Sequence, residues 1–316
     1  MILSNKKDNK YCKNKPIILD GAIGNYLEVI YDDIKYNKLW ATELNFTKSE
    51  LLIDMYSKYI DAGANIITTN TFRTNPTSLK HLNNLNLNKY GITNSIQNNL
   101  EICIKQAVDI CRNSINKLNN KSILIAGSNS PAEDCYSKNR TLKYETLKDN
   151  HINHINCLVN NKVDLILNET QSHMDEIDII MKHIYNSSIN SSISLYLDNS
   201  DGVIKCLDGN PIEKVIEYLL GYNFFNHNSS LINNFISFNC ISIDTLKSIL
   251  NNNYLRDNIF NYSNNINWGF YLNHFDYYNI NDVKLIIKNY KPYIVGGCCY
   301  TNPEYIQQIS NVFYYN

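Results

Sequence analysis

Short apolar runs alternate along this chain with longer segments whose apolar residues recur every three to four positions, the periods of buried strands and of amphipathic helices. The first run is Ile17-Ile18-Leu19, ended by Asp20-Gly21. Leu51, Leu52, Met55, Tyr59 and Ile60 mark a helical face over Ser49–Ala62, closed by Gly63 as a C-cap, and Asn65–Asn70 follows as a strand. A polar, Asn-rich loop over residues 83–89 leads to a long helix from Ser95 to Leu118 and then to the strand Ser122–Gly127. The same pairing continues with a helix over His151–Asn160 and the strand Val163–Leu167, and with a helix over Asp175–Ile184 and the strand Ser192–Asp198. A helix over Pro211–Leu220 precedes the strand Phe235–Asn239. The last two pairs join the helix Thr245–Asn251 to a weaker strand Asn258–Tyr262, and the helix Val283–Asn289 to the strand Tyr293–Val295.

Strands that alternate with helices build right-handed βαβ units on a parallel sheet. Eight such units predict an α/β fold, a single-domain (β/α)8 TIM-type barrel over residues 17–316, preceded by a tail over residues 1–16. No linker rich in Pro, Gly or Ser divides it, and the Asn-rich pieces at 222–234 and 249–266 read as surface insertions. Asp20, Asn70, Glu169, Cys240, Cys298 and Cys299 all fall at the C-terminal ends of predicted strands. In such barrels that face carries the active site.

Composition narrows the class of function. A net charge of −1 lacks the clustered Lys and Arg of a dedicated nucleic-acid binder. The basic segment from Lys6-Lys7 to Lys15 has no apolar stretch after it, so a secretory signal is not expected, and nothing approaches a membrane span. Nine cysteines, odd in number and irregularly spaced in 316 residues, do not form a secreted disulfide scaffold, and a reducing cytoplasm is expected.

Two cysteines, however, stand side by side where Tyr293-Ile294-Val295 breaks at Gly296-Gly297, and a third ends the strand Phe235–Asn239. Adjacent thiols do not readily bridge each other, but Cys298, Cys299 and Cys240 can converge on one soft cation. Catalytic zinc keeps three protein ligands and one open position. Cys12, Cys103, Cys111, Cys135, Cys157 and Cys206 carry no such context and read as small buried hydrophobes. His151 and His154 share one helix and are not expected to be ligands. Gly21-Ala22-Ile23-Gly24 does not have the spacing of a dinucleotide loop.

The Asn239-Cys240 pair, Gly296-Gly297-Cys298-Cys299, Leu19-Asp20-Gly21-Ala22-Ile23-Gly24 and Asn168-Glu169-Thr170 together resemble, in order, the motifs of the homocysteine S-methyltransferases, over residues 17 to 309. The resemblance implies zinc-dependent methyl transfer to the thiolate of L-homocysteine, giving methionine. It also implies that Asp20 and Glu169 hold the substrate ammonium, although a cap or loop ion pair is the alternative for each. Gly21 either admits the substrate carboxylate to the backbone or makes a tight turn, and Asn70 faces the rim. Trp40, matching a Leu-Trp pair of the family, either lines the pocket or packs beneath its mouth.

For the donor, the resemblance leaves three solutions. Cobalamin-dependent relatives carry further domains, betaine-using ones a C-terminal extension that builds a tetramer, and short single-barrel members use sulfonium donors. A chain of this length, expected to be a monomer or weak oligomer, fits S-methylmethionine, with S-adenosylmethionine as the other sulfonium. Ser128-Asn129-Ser130-Pro131 replaces a more Gly-rich family segment, and a Pro-Asn is missing before Trp268. Those departures keep open a betaine- or corrinoid-linked enzyme, or a catalytically impaired zinc-binding barrel acting by interaction.

Overall fold

The apolar runs pair into one parallel sheet of eight strands, in a computed structural model that describes residues 15–30, 39–82, 88–120, 122–225, 232–261, 265–274 and 279–312. The strands are β1 (Ile17–Ile18), β2 (Ile66–Thr68), β3 (Leu124–Asn129), β4 (Leu165–Gln171), β5 (Ser191–Leu195), β6 (Phe235–Asn239), β7 (Trp268–Leu272) and β8 (Ile294–Gly297). β8 returns to β1 by pairing Ile17 with Ile294 and Ile18 with Val295. A bridge between Leu19 and Ile66, with Asp20 N donating to the Ile66 carbonyl at 3.0 Å, joins β1 to β2 and nearly closes the ring. The result is a single-domain (β/α)8 TIM-type barrel. Of the expected tail over residues 1–16, residues 1–14, with Cys12 and Lys6-Lys7, lie outside the described residues.

The helices that follow the strands are α1 (Ser49–Asp61), α2 (Ile96–Lys117), α3 (Tyr144–Asn160), α4 (Met174–Ser187), α5 (Ile212–Leu220), α6 (Ile243–Asn251), α7 (Ile280–Tyr290) and α8 (Pro303–Asn311). Ser95, Ser242, Asn279 and Asn302 begin four of them, each side chain accepting from a backbone N–H of the first turn. Gly63, at φ +106°, ends α1 in a conformation that L side chains rarely adopt. Strand residues alternate between two cores. Ile17, Leu19, Ile66, Leu124, Ala126, Leu165, Leu167, Phe235, Tyr271 and Ile294 fill the barrel, while Ile18, Ile67, Ile125, Ile166, Ile193, Ile236 and Phe270 pack outward against the helices. None of the described helices is long and apolar enough to cross a membrane.

One predicted strand is wrong. Of the segment Asn258–Tyr262, Tyr262 lies outside the described residues; Arg256–Phe260 forms a π-helical turn, and the seventh strand is Trp268–Leu272. Ile259 and Phe260 are buried, Phe260 against the Trp268 ring at 4.6 Å, and so short an apolar pair fits helix and strand equally. Gly269 disguised the true strand; it is required because a Cβ there would run into Ile294 of β8. The residues before Trp268 therefore lie at the start of β7, away from the rim, and the strand ends at Leu272-Asn273. The missing Pro-Asn was thus sought at the wrong end of that strand.

Candidate metal centre and substrate cavity

The C-terminal strand ends enclose a cavity of about 490 Å³, and Asp20, Gly21, Asn70, Glu169, Cys240, Cys298 and Cys299 all line it. A hollow of about 480 Å³ beside Lys214, Glu217, Tyr218 and Tyr222 lies on the outside of α5, open to solvent.

Backbone geometry aims the three thiols. In a regular β6, Cys240 would share the helix-facing side of Ile236 and Phe238; it instead adopts φ +56°, a left-handed conformation uncommon for a residue with a Cβ. On the other arm, neither Gly296 nor Gly297 has a positive φ, and both are needed for close approach. A Cβ on Gly296 would lie 2.6 Å from the Leu19 Cβ, and one on Gly297 would overlap Thr301. Thr301 then closes the turn, its N–H and hydroxyl donating to the Cys298 carbonyl at 3.1 and 2.5 Å.

The three sulfurs lie within 4.8 Å of one another, with Cys240 and Cys299 at 3.4 Å. Thiolates at about 2.3 Å from a tetrahedral zinc stand about 3.8 Å apart, so the spacing fits such an ion. Cys240 is buried whereas Cys298 and Cys299 are partly accessible, which leaves the cavity side open for a fourth ligand. Among the described residues no other group of His, Cys, Asp and Glu is so placed. Hydrogen bonds from Cys298 and then Cys299 hold the Cys240 thiol well below its usual range. The same bonds hold Cys298 and Cys299 up.

Two carboxylates, Asp20 buried and Glu169 half-buried, face the same space. Asp20 accepts from the Thr68 N–H and hydroxyl, each at 2.8 Å, yet burial, with a further contribution from the Glu169 charge, pushes it up to about 8. Glu169, which shares the inward parity of Leu165 and Leu167, accepts from the Ser128 hydroxyl and is pushed up by burial to about 7. Such groups are short of a compensating cation.

Asn239 and Thr170, the companions of Cys240 and Glu169, hold each other across the rim. The Thr170 N–H donates to Asn239 Oδ1 and the Asn239 amide donates to Thr170 Oγ1, both at 2.9 Å and both buried. Thr170 has φ +60°, an outlier for a β-branched residue, which this pair secures.

Asn70 lines the cavity but commits its amide nitrogen to the Ala41 carbonyl and Asn45 Oδ1, and so seats the segment that carries Trp40. Trp40 lines the cavity too, its indole donating to Glu28 at 2.7 Å and meeting Phe72 edge-on at 6.1 Å. Gly24 is flat beneath it, since a Cβ there would overlap the indole. The Gly21 Cβ position lies 2.7 Å from the Thr301 carbonyl and 2.8 Å from the Tyr59 ring, so this glycine also serves close packing.

The loop after β3 supplies residues that sequence reasoning passed over. Tyr136 lines the cavity and places its hydroxyl 2.9 Å from Cys240 Sγ; burial and then the charge on Cys240 push it up, so it stays a phenol. Cys135, read as an ordinary core thiol, is buried but lines the cavity as well, and burial pushes it up to about 12. Cys103 and Cys111 lie in the core as expected. His151 and His154 are buried in a hydrogen-bonded network with Asn129, Glu176 and Thr74, apart from the cysteine cluster. Nothing in the order of residues signalled Tyr136 beyond the departure of its loop from the expected pattern.

Comparison with known proteins places this geometry. The chain superposes on the crystal structure of the homocysteine methyltransferase MmuM from Escherichia coli in its metallated form with a TM-score of 0.73, at 19% identity over 95% of this chain and 96% of that one. Against the apo form of the same protein the TM-score is 0.67 at 18% identity, with the same coverage. At such identity the likeness establishes the fold. Direct sequence comparison with curated proteins returns no match. The sequence model of the homocysteine S-methyltransferases, in contrast, matches residues 17–313, nearly the whole chain. The cysteine cluster, the carboxylates beside it and this match lead to one conclusion: the chain belongs to the homocysteine S-methyltransferase family.

Proposed function

We propose that this protein is a zinc enzyme that transfers a methyl group from a sulfonium donor to the sulfur of L-homocysteine, giving methionine. S-methylmethionine is the donor favoured, with S-adenosylmethionine as the alternative sulfonium. The observation that carries the reading is the convergence of Cys240, Cys298 and Cys299 on one wall of a cavity that also holds two uncompensated carboxylates.

Cys240, Cys298 and Cys299 would hold the zinc, which when bound stabilises a coordinated thiolate and so keeps a substrate sulfur nucleophilic at neutral pH. Asp20 and Glu169 take the homocysteine ammonium through charge-assisted hydrogen bonds, which offset the cost of ionising these acids. Gly21, without a Cβ, lets the backbone come close to the substrate carboxylate. Asn70 acts by fixing the Ala41 segment, and with it Trp40. Trp40, Phe72 and Tyr136 give the cavity an aromatic wall suited to a sulfonium cation. Arg73 and Glu28 line the same part and offer opposite charges for the carboxylate and ammonium of an amino-acid donor. Placing donor and acceptor sulfur together in one enclosed space supplies the orientation that a methyl displacement requires.

The test is zinc content of protein purified without added metal, followed by incubation with homocysteine and S-methylmethionine and measurement of methionine. About one zinc per chain with methionine formed supports the whole reading. Zinc without methionine retains the centre and overturns the donor, and metal-free protein in reducing buffer overturns the centre itself.

A further inference from the structure

The loop between β3 and α3 is fastened at both ends to one buried carboxylate. Glu176, whose side chain has no accessible surface, accepts from the Ala132 N–H at 2.7 Å and pairs with Arg140, while His151 braces it from α3 at 2.9 Å. Between these anchors the loop crosses to the end of β5, where Lys138 pairs with Asp198 at 2.9 Å and the Tyr136 ring meets Tyr196 edge-on at 5.0 Å. Held by the Glu176 anchors and the Tyr196 ring, the Tyr136 hydroxyl lies 2.9 Å from Cys240 Sγ.

The chemistry of the cavity gives that contact a purpose. Ligand thiolates are themselves nucleophiles, and they share the cavity with an electrophilic methyl donor. If Cys240 were methylated, an S–CH3 bond would form on its sulfur while the donor's carbon–sulfur bond broke, the electron pair leaving with the neutral thioether. The anionic ligand would become a neutral thioether and a poorer metal ligand. A phenolic O–H donating to that sulfur withdraws electron density and occupies one direction of approach.

We propose that Tyr136 is a positioning residue that shields Cys240, its hydroxyl hydrogen-bonded to Sγ so that the methyl group goes to the substrate sulfur and not to the protein's own ligand. The proposal rests on the zinc-thiolate reading of the site, but its test does not depend on the donor. Zinc-loaded wild-type, Tyr136→Phe and Lys138→Ala proteins are treated with methyl iodide without homocysteine. Methylation at Cys240 and Cys298 is then timed by peptide mass spectrometry, together with zinc release.

In Tyr136→Phe, Cys240 methylation is expected to run roughly ten- to a hundredfold faster, the factor that loss of one hydrogen bond to a charged acceptor brings, with zinc released in step. The initial rate at Cys298 should rise by less than that at Cys240. Lys138→Ala, which loosens the loop tip but keeps the hydroxyl, should match the wild type. Equal Cys240 rates in all three proteins, a parallel rise at Cys298, or the same rise in Lys138→Ala would each overturn the proposal. Wild-type protein that takes up no zinc would overturn the site reading and this inference with it.

Discussion

Replacing Asn239 by Ala tests how the rim is assembled without assuming any reaction. The substitution deletes two hydrogen bonds of 2.9 Å and leaves the Thr170 N–H and hydroxyl in an interior where Asn239 and Thr170 are both buried. A buried polar group stripped of its partner costs about 1–3 kcal/mol. The hydroxyl can rotate toward another acceptor, whereas the backbone N–H cannot, so the loss should be about 2–4 kcal/mol. That is a large share of the roughly 5–15 kcal/mol that stabilises a folded protein. Urea unfolding of the metal-free protein is the assay, read as a lower midpoint at unchanged slope. Because Thr170 sits at φ +60° next to Glu169, and Asn239 directly precedes Cys240, zinc affinity should weaken as well. A loss below about 0.5 kcal/mol, the usual range for surface substitutions, would refute the view that this pair ties β4 to β6.

Further outcomes follow from the same geometry. Cys298→Ala should leave two thiolates, too few for a three-sulfur centre, and abolish both bound zinc and methionine formation while circular dichroism stays unchanged; retained stoichiometric zinc would contradict the ligand set. Amino-acid binding should be linked to proton release, since Asp20 at about 8 and Glu169 at about 7 are protonated in the free cavity at low pH and must ionise to meet an ammonium. Affinity for methionine, which has no thiol proton, should therefore rise from pH 6 to pH 8.5 in calorimetry, and a flat profile would exclude the ammonium role. Both values are raised, so the stability these acids contribute is present at low pH and falls as pH climbs through 7 and then 8. Glu176 has the opposite sign. Burial alone would raise it, but His151 and then Arg140 pull it down to about 2, so its contribution is present above about 4.5 and is lost as pH falls toward 2. Glu176→Gln should cost about 3–5 kcal/mol at pH 7 and flatten acid unfolding in that window; an unchanged acid limb would show that the pair does not control it.

Periodicity alone determined the barrel, because strand and helix repeats are local properties of the backbone and of the faces it buries. The same reading located the chemistry: five strand ends carried Asp20, Asn70, Glu169, Cys240 and the Cys298-Cys299 pair, and the closed sheet brought those residues into one cavity. It failed at β7, where a glycine demanded by the neighbouring strand masked the pattern. Other features depend on contacts between distant segments, which no window of sequence contains. The left-handed turn at Cys240 is maintained by a rim that exists only once β6, β7 and β8 are paired. The Asn239–Thr170 pair spans two strands that are not neighbours in the sheet. Asn70 braces the Ala41 segment next to Trp40, and Tyr136 meets Cys240 on a loop that Glu176 fastens at both ends. Residue types and their order decide which groups reach the rim, but ring closure decides which of them meet, and at what distance.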